Sequence, residues 1–141
     1  MARMDYRVVH TLSDAHVTQL HELYQGEWWT RGRTLEATRT LLEHSDLVFA
    51  LCEPATDRLV AFARVLTDRV FKALIFDVIV QADLRSQGVG QRLVEEVISH
   101  PVLAGVEHIE LYCRPERFEF YRRLGFSEDL GSLKLMRRNR V

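Results

Sequence analysis

Residues 71–98 read FKALIFDVIVQADLRSQGVGQRLVEEVI, and no other stretch restricts the fold so tightly. The run 71–80 is almost continuously apolar and reads as a central strand covered on both faces. Soon after it the period changes: Val89, Leu93 and Val97 form one helical row, and Gly90, Val94 and Ile98 the next. Gly88 and Gly90 occupy the opening turn of that helix, with Arg85 just before them. Glycine costs about 1 kcal/mol relative to alanine inside a helix, so two of them at this place ask for a reason.

The chain has 141 residues, the size of one domain, and 47% of them are hydrophobic, enough for a real core. We therefore expect a single domain over 1–141. The net charge of −1 argues against bulk electrostatic binding to nucleic acid. Cys52 and Cys113 lie far apart in apolar runs, with no CxxC pair and no histidine at ligand spacing, so both are expected to be reduced core residues and no metal site is expected. The opening MARMDYRVVH lacks the apolar stretch of a signal peptide, and no run reaches membrane-spanning length, which predicts a cytoplasmic protein without a membrane partner.

The remaining elements follow from period and punctuation. Residues 6–12 predict a first strand, Ser13 caps a helix from 14, and Thr34 caps a second helix from 35. Residues 47–53 and 58–66 predict strands joined by the turn-rich PATD. Residues 108–113 alternate as a strand. Residues 115–126 predict a short helix with Pro115 early and Gly125 as its C-terminal cap, Phe126 folding back. Residues 132–138 predict a last strand. Strands interrupted by helices make a mixed α/β sheet with helices on both faces.

The first turn of a helix carries backbone N–H groups without partners, backed by the positive end of the macrodipole, and anions bind there. Glycine at the closest approach leaves room for a bulky polyanion. The competing reading is a tight turn with close helix–sheet packing. A P-loop needs Lys-Ser/Thr after its glycines, whereas this chain has Gln91-Arg92, and a dinucleotide fingerprint needs a small residue where Leu93 stands.

VIVQADLRSQGVGQRLVEEV resembles the acyl-CoA-binding motif of the GCN5-related N-acetyltransferases, Arg/Gln-x-x-Gly-x-Gly/Ala, through Arg85, Gly88 and Gly90. LYCRPERFEFYRRLGF is similar to the same family's closing strand–helix segment. The resemblance implies an acyltransferase fold: a central, mixed and mostly antiparallel sheet flanked by helices and splayed between its fourth and fifth strands. It implies acetyl-CoA as co-substrate. Backbone groups near Ile79, Val80 and Gln81 would hold its pantetheine arm, and the loop Arg85, Ser86, Gln87, Gly88, Val89, Gly90 and Gln91 its pyrophosphate.

The resemblance also implies direct acetyl transfer to a primary amine, with Tyr121 as the general acid that protonates the departing thiolate. A phenol with a reference pKa of about 10 keeps its proton at neutral pH. The other reading of Tyr121 is a core tyrosine with a surface hydroxyl partner. Asp77 is the sole acid in its apolar strand and needs either a partner or a task. It is a candidate base or ammonium ligand, and equally a structural anchor. In GEWWTRGR, Glu27 is a candidate for attracting the amine, and Trp28 and Trp29 for stacking on it or for anchoring a helix end.

The expected activity is acetyl transfer to a small-molecule amine. Alternatives are a protein or peptide amine, a non-catalytic acyl-CoA-binding module, and a module for another phosphorylated ligand. Dimers are frequent in the family, so a homodimer stays open.

Overall fold

The first two helices begin where a hydroxyl satisfies a free amide. In the computed structural model, which describes residues 5–140, Ser13 accepts from the His16 amide ahead of α1 (Asp14–Gln25), and His16 Nδ1 accepts from the Ser13 amide in return. Thr34 accepts from the Ala37 amide ahead of α2 (Leu35–His44). Residues 1–4 of the N-terminal reading, and residue 141, lie outside the described residues.

Five strands form one sheet in the order β1 (Arg7–Val9), β2 (Leu47–Cys52), β3 (Leu59–Thr67), β4 (Lys72–Val80) and β5 (His108–Glu110). The first four pair antiparallel, and β5 joins β4 parallel. This is the mixed, mostly antiparallel sheet expected. Helix α3 (Val89–Ile98) supplies the crossover between β4 and β5.

Helices cover both faces. Leu20, Leu23 and Tyr24 of α1 share a core cluster with Ala50, Cys52, Leu59, Phe62 and Ile79. Strand alternation then turns Phe49 and Leu51 to the opposite face. There α3 packs on β2, β3 and β4 through its buried Val89, Leu93, Val94 and Val97. Strands β2 and β3 are both doubly covered, with Phe49 to Cys52 and Leu59 to Ala63 all buried. Strand β4 differs from expectation: it alternates, with Ala73, Ile75, Asp77 and Ile79 buried and the residues between them only half-buried.

The chain clusters into two units, one up to Leu111 and one from Tyr112. The second contains a 3₁₀ turn (Pro115–Arg117) leading into α4 (Phe118–Arg122). Helix α4 is thus shorter than the expected 115–126, and the turn after it closes at Gly125, which has φ +95°. The Phe126 amide donates to Tyr121 O at 3.1 Å and the Gly125 amide to Arg122 O at 3.0 Å, the paired bonds of a left-handed helix stop.

Three expectations need correction. The first strand is Arg7–Val9 rather than 6–12, and the fifth is His108–Glu110 rather than 108–113. The predicted last strand, 132–138, has no regular structure, with Leu133, Leu135 and Met136 exposed. Alternation shows that one face can be buried; a strand also needs an edge to pair with.

Candidate active site

Strand β4 carries the irregularity on which the site is built. Arg64 of β3 pairs with Phe76 and Phe62 with Ile79, so two steps along β3 match three along β4. The extra residue bulges the strand. Asp77 sits at this bulge with φ +57°, a left-handed conformation that a short polar side chain tolerates better than most.

The Asp77 carboxylate is buried and closely held. Tyr24 Oη donates to Oδ2 at 2.9 Å, Arg33 Nη1 to Oδ2 at 2.8 Å, Arg33 Nη2 to Oδ1 at 3.3 Å, and Arg64 Nε to Oδ2 at 2.7 Å. Burial by itself raises a carboxyl pKa, and here it is the largest single influence; the two guanidiniums together outweigh it and hold Asp77 below the usual carboxylate range. Burial, then the Asp77 charge, pushes the Tyr24 hydroxyl up. Arg33 also lies over the Tyr24 ring, 4.6 Å from its centre. Asp77 is thus ionised, saturated with donors and a weak proton acceptor. That is the anchor arrangement rather than the base arrangement.

Beyond the bulge, β4 has an open edge. The parallel ladder runs only from Lys72↔His108 to Leu74↔Glu110, leaving Ile75–Val80 without a β5 partner. This is the expected splay. Gln81 spends its backbone inside the chain: its N–H donates to Val60 O and its C=O accepts from Leu84. Ile79 and Val80 are the remaining predicted positions on this stretch, and the Val80 carbonyl accepts from Arg85 Nε at 3.2 Å.

The chain then passes through a 3₁₀ turn (Ala82–Leu84) into the exposed segment Arg85–Gly88. Ser86 has φ +64° and Gly88 φ +84°, and a Cβ built on Gly88 meets nothing within 4 Å. Among the described residues, the N–H groups of Gln87, Gly88, Val89, Gly90 and Gln91 have no acceptor; the first helical bond is Arg92 to Gly88 O. Gly90 lies in the first turn of α3 and is half-buried. The two glycines therefore differ: Gly88 answers a backbone demand at an open surface, and Gly90 sits in the helix. Five free amides at the positive end of a ten-residue helix, with open space at Gly88, suit a diphosphate. Arg92 turns away, to Glu96 at 3.1 Å and the Tyr6 carbonyl at 3.3 Å.

The loop between α1 and α2 reaches this region. Glu27 is ion-paired with Arg85, which joins a predicted acceptor residue to a predicted cofactor residue. Trp28 is 62% exposed and Trp29 41%, so neither is a buried helix anchor. Thr30 is buried instead and donates to the Tyr24 carbonyl at 2.7 Å.

Tyr121 lies in the second unit, on α4, edge-on to Phe120 and Phe126 at 4.9 and 5.8 Å. Burial, and then Cys113, pushes its hydroxyl up to about 12. It therefore holds its proton throughout the neutral range, as an acid must.

Sequence reasoning passed over three groups. They are Tyr24, Arg33 and Arg64, the three donors to Asp77. A usable pointer was present: Arg64 and Asp77 are opposite charges set inside successive apolar runs, and Asp77 is the sole acid of its own. His16, Cys52 and Asp57 also meet, with candidate ligand atoms within 4.8 Å of one another, although no sequence spacing links them. His16 Nδ1 accepts from the Ser13 amide, which puts the ring proton on Nε2, the atom a metal would need bare. Burial raises the Cys52 thiol to about 11.

Among the described residues, no helix is long and apolar enough to cross a membrane. Residues 11–126 match the acetyltransferase (GNAT) family model. The chain is 32% identical over 120 residues to the ycf52 N-acetyltransferase of Porphyra purpurea, covering 84% of this chain and 68% of that one. It is 32% identical over 138 residues to serotonin N-acetyltransferase 2, chloroplastic, of Oryza sativa, covering 96% and 68%. A crystal structure of a GNAT-family protein from Xanthomonas campestris superposes with a TM-score of 0.78 at 28% identity, covering 97% and 95%. The open β4 edge and the free amides ahead of α3 thus lie within a chain that belongs to the GNAT family of N-acetyltransferases.

Proposed function

We propose that the protein transfers the acetyl group of acetyl-CoA directly to a primary amine of a small molecule. The carrying observation is the run of five free amides from Gln87 to Gln91, next to a strand edge that β5 leaves unpaired. The amides suit the pyrophosphate, and the Ile79–Val80 edge suits the amide groups of an extended arm. Bound acetyl-CoA supplies an activated acyl group open to attack by a neutral amine.

The chain's own residues divide the remaining work. Tyr121 holds a proton for the departing thiolate; this role rests on the resemblance of its segment and on its raised pKa. Asp77, with its carboxylate saturated by two guanidiniums and a phenol, fixes the β4 bulge rather than taking up the amine's proton. Glu27, Trp28 and Trp29 stand on the exposed loop that would receive the acceptor, and Glu27 is ion-paired with Arg85. The relative named for serotonin supports a small-molecule acceptor.

Acetyl-CoA binds only the folded chain in this reading and should raise its melting temperature, by about 2.7 kcal/mol of added stability at a hundred times Kd. Thiol release against a panel of amines then identifies acceptors. Stabilisation by ATP or NAD, with none by acetyl-CoA, would sink the proposal.

A further inference from the structure

Arg64 is more than a brace for Asp77. Its side chain is 16% exposed and its guanidinium lies over the Phe76 ring at 5.0 Å. Nε is spent on Asp77, while Nη1 and Nη2 take no hydrogen bond among the described residues. Asp77 was already satisfied by two bonds from Arg33 and one from Tyr24. A second, largely desolvated guanidinium leaves this cluster with one positive charge that nothing in it cancels, which is costly without a partner.

Both arginines line one open groove of about 630 Å³, walled on the other side by Ala37, Thr40 and Leu41 of α2. The further titratable groups facing it are Glu36 and His44. Glu36 is exposed, so water and salt screen its charge far more than that of Arg64. The groove also adjoins the β4 bulge, since Arg33 and Arg64 meet at Asp77.

We propose that this groove binds an anionic group of the acetyl acceptor, a carboxylate or a phosphate ester, with the free edge of the Arg64 guanidinium as the forked donor. This rests on the acetyltransferase reading above and narrows its substrate class to amines that carry an anion. Arg64 is then a specificity residue, with Asp77 holding its plane.

The test begins with protein saturated in acetyl-CoA, so that the turn at 87–91 is filled. Inorganic phosphate and acetate are titrated in separately, with sodium chloride at matched ionic strength as the control. Saturable binding of at least one is expected, and which one binds distinguishes phosphate ester from carboxylate. Arg64→Gln should weaken it at least about tenfold. Thr40→Glu, which puts a carboxylate on the groove wall without touching Asp77, should do the same in a chain whose ion-pair cluster is intact.

No binding of either anion, or binding that neither variant weakens, overturns the proposal. In the second arm, kcat/KM is compared for ethanolamine against O-phosphoethanolamine and for serotonin against 5-hydroxytryptophan. The charged member of at least one pair should be favoured about tenfold in the wild type and approach parity in both variants. Equal use of both members of each pair overturns the proposal and leaves the acetyltransferase reading standing. Acetyl transfer to no amine removes that reading instead, and the anion titration alone then decides the groove.

Discussion

Asp77 is the residue whose environment changes its chemistry most. The sequence showed one acid in an apolar strand and left open whether it works or anchors. The answer needed Arg33, 44 residues away along the chain, and Tyr24, 53 away, neither of which spacing could associate with it. Removing one member of a buried charge cluster strands the others, so Asp77→Asn should cost about 3 kcal/mol in urea unfolding. Because its folded pKa lies below the unfolded value of about 3.9, its contribution is present above that pH and lost as pH falls through the folded pKa. Unfolding at pH 3 and pH 7 should thus show a smaller difference in Asp77→Asn than in the wild type. An unchanged difference would mean that the carboxylate is not stabilised by its neighbours. The acid role proposed for Tyr121 rests on a local segment, 111–126. Tyr121→Phe should lower kcat about a hundredfold while acetyl-CoA affinity holds. With its hydroxyl near pKa 12, wild-type kcat should show no alkaline loss from this group below pH 10. Wild-type turnover in the phenylalanine variant would exclude Tyr121 as the acid.

Among elements, the turn into α3 was read correctly in kind and only partly in reason. Gly88 serves a backbone at φ +84°, which a Cβ strains even though it touches nothing. Gly88→Ala should therefore cost about 1 kcal/mol of stability and, by placing a methyl group in the phosphate's path, raise the acetyl-CoA Kd by about tenfold. An unchanged Kd would detach the turn from the cofactor. The loop Gly26–Arg33 was legible as irregular, but its pairings were not: Arg33 goes to Asp77, and Glu27 goes to Arg85. The latter pair is partly exposed, so Glu27→Gln should change stability by less than about 1 kcal/mol. Its effect should fall on acetyl-CoA binding, through Arg85, with the KM for the amine unaltered. A raised amine KM at constant acetyl-CoA affinity would instead make Glu27 an acceptor residue.

For the whole molecule, local pattern set where helices start and stop, and tertiary pairing set which strands form and how far they run. Caps at Ser13 and Thr34, the stop at Gly125 and the amphipathic rows of α3 arise from hydrogen bonds and burial within a few residues, and such interactions can be read along the chain. The same holds for the free amides before α3, because any helix start exposes them. Strand length, the β4 bulge, and the fate of 132–138 depend on what lies alongside, which the chain order does not state. Sequence by itself thus determined where the helices start and stop, and that amides stand free at the start of α3. Only the tertiary structure decided that Asp77, Arg33, Arg64 and Tyr24 share one site. Charges in low dielectric are governed by distance in space, and that distance is fixed by packing rather than by position along the chain.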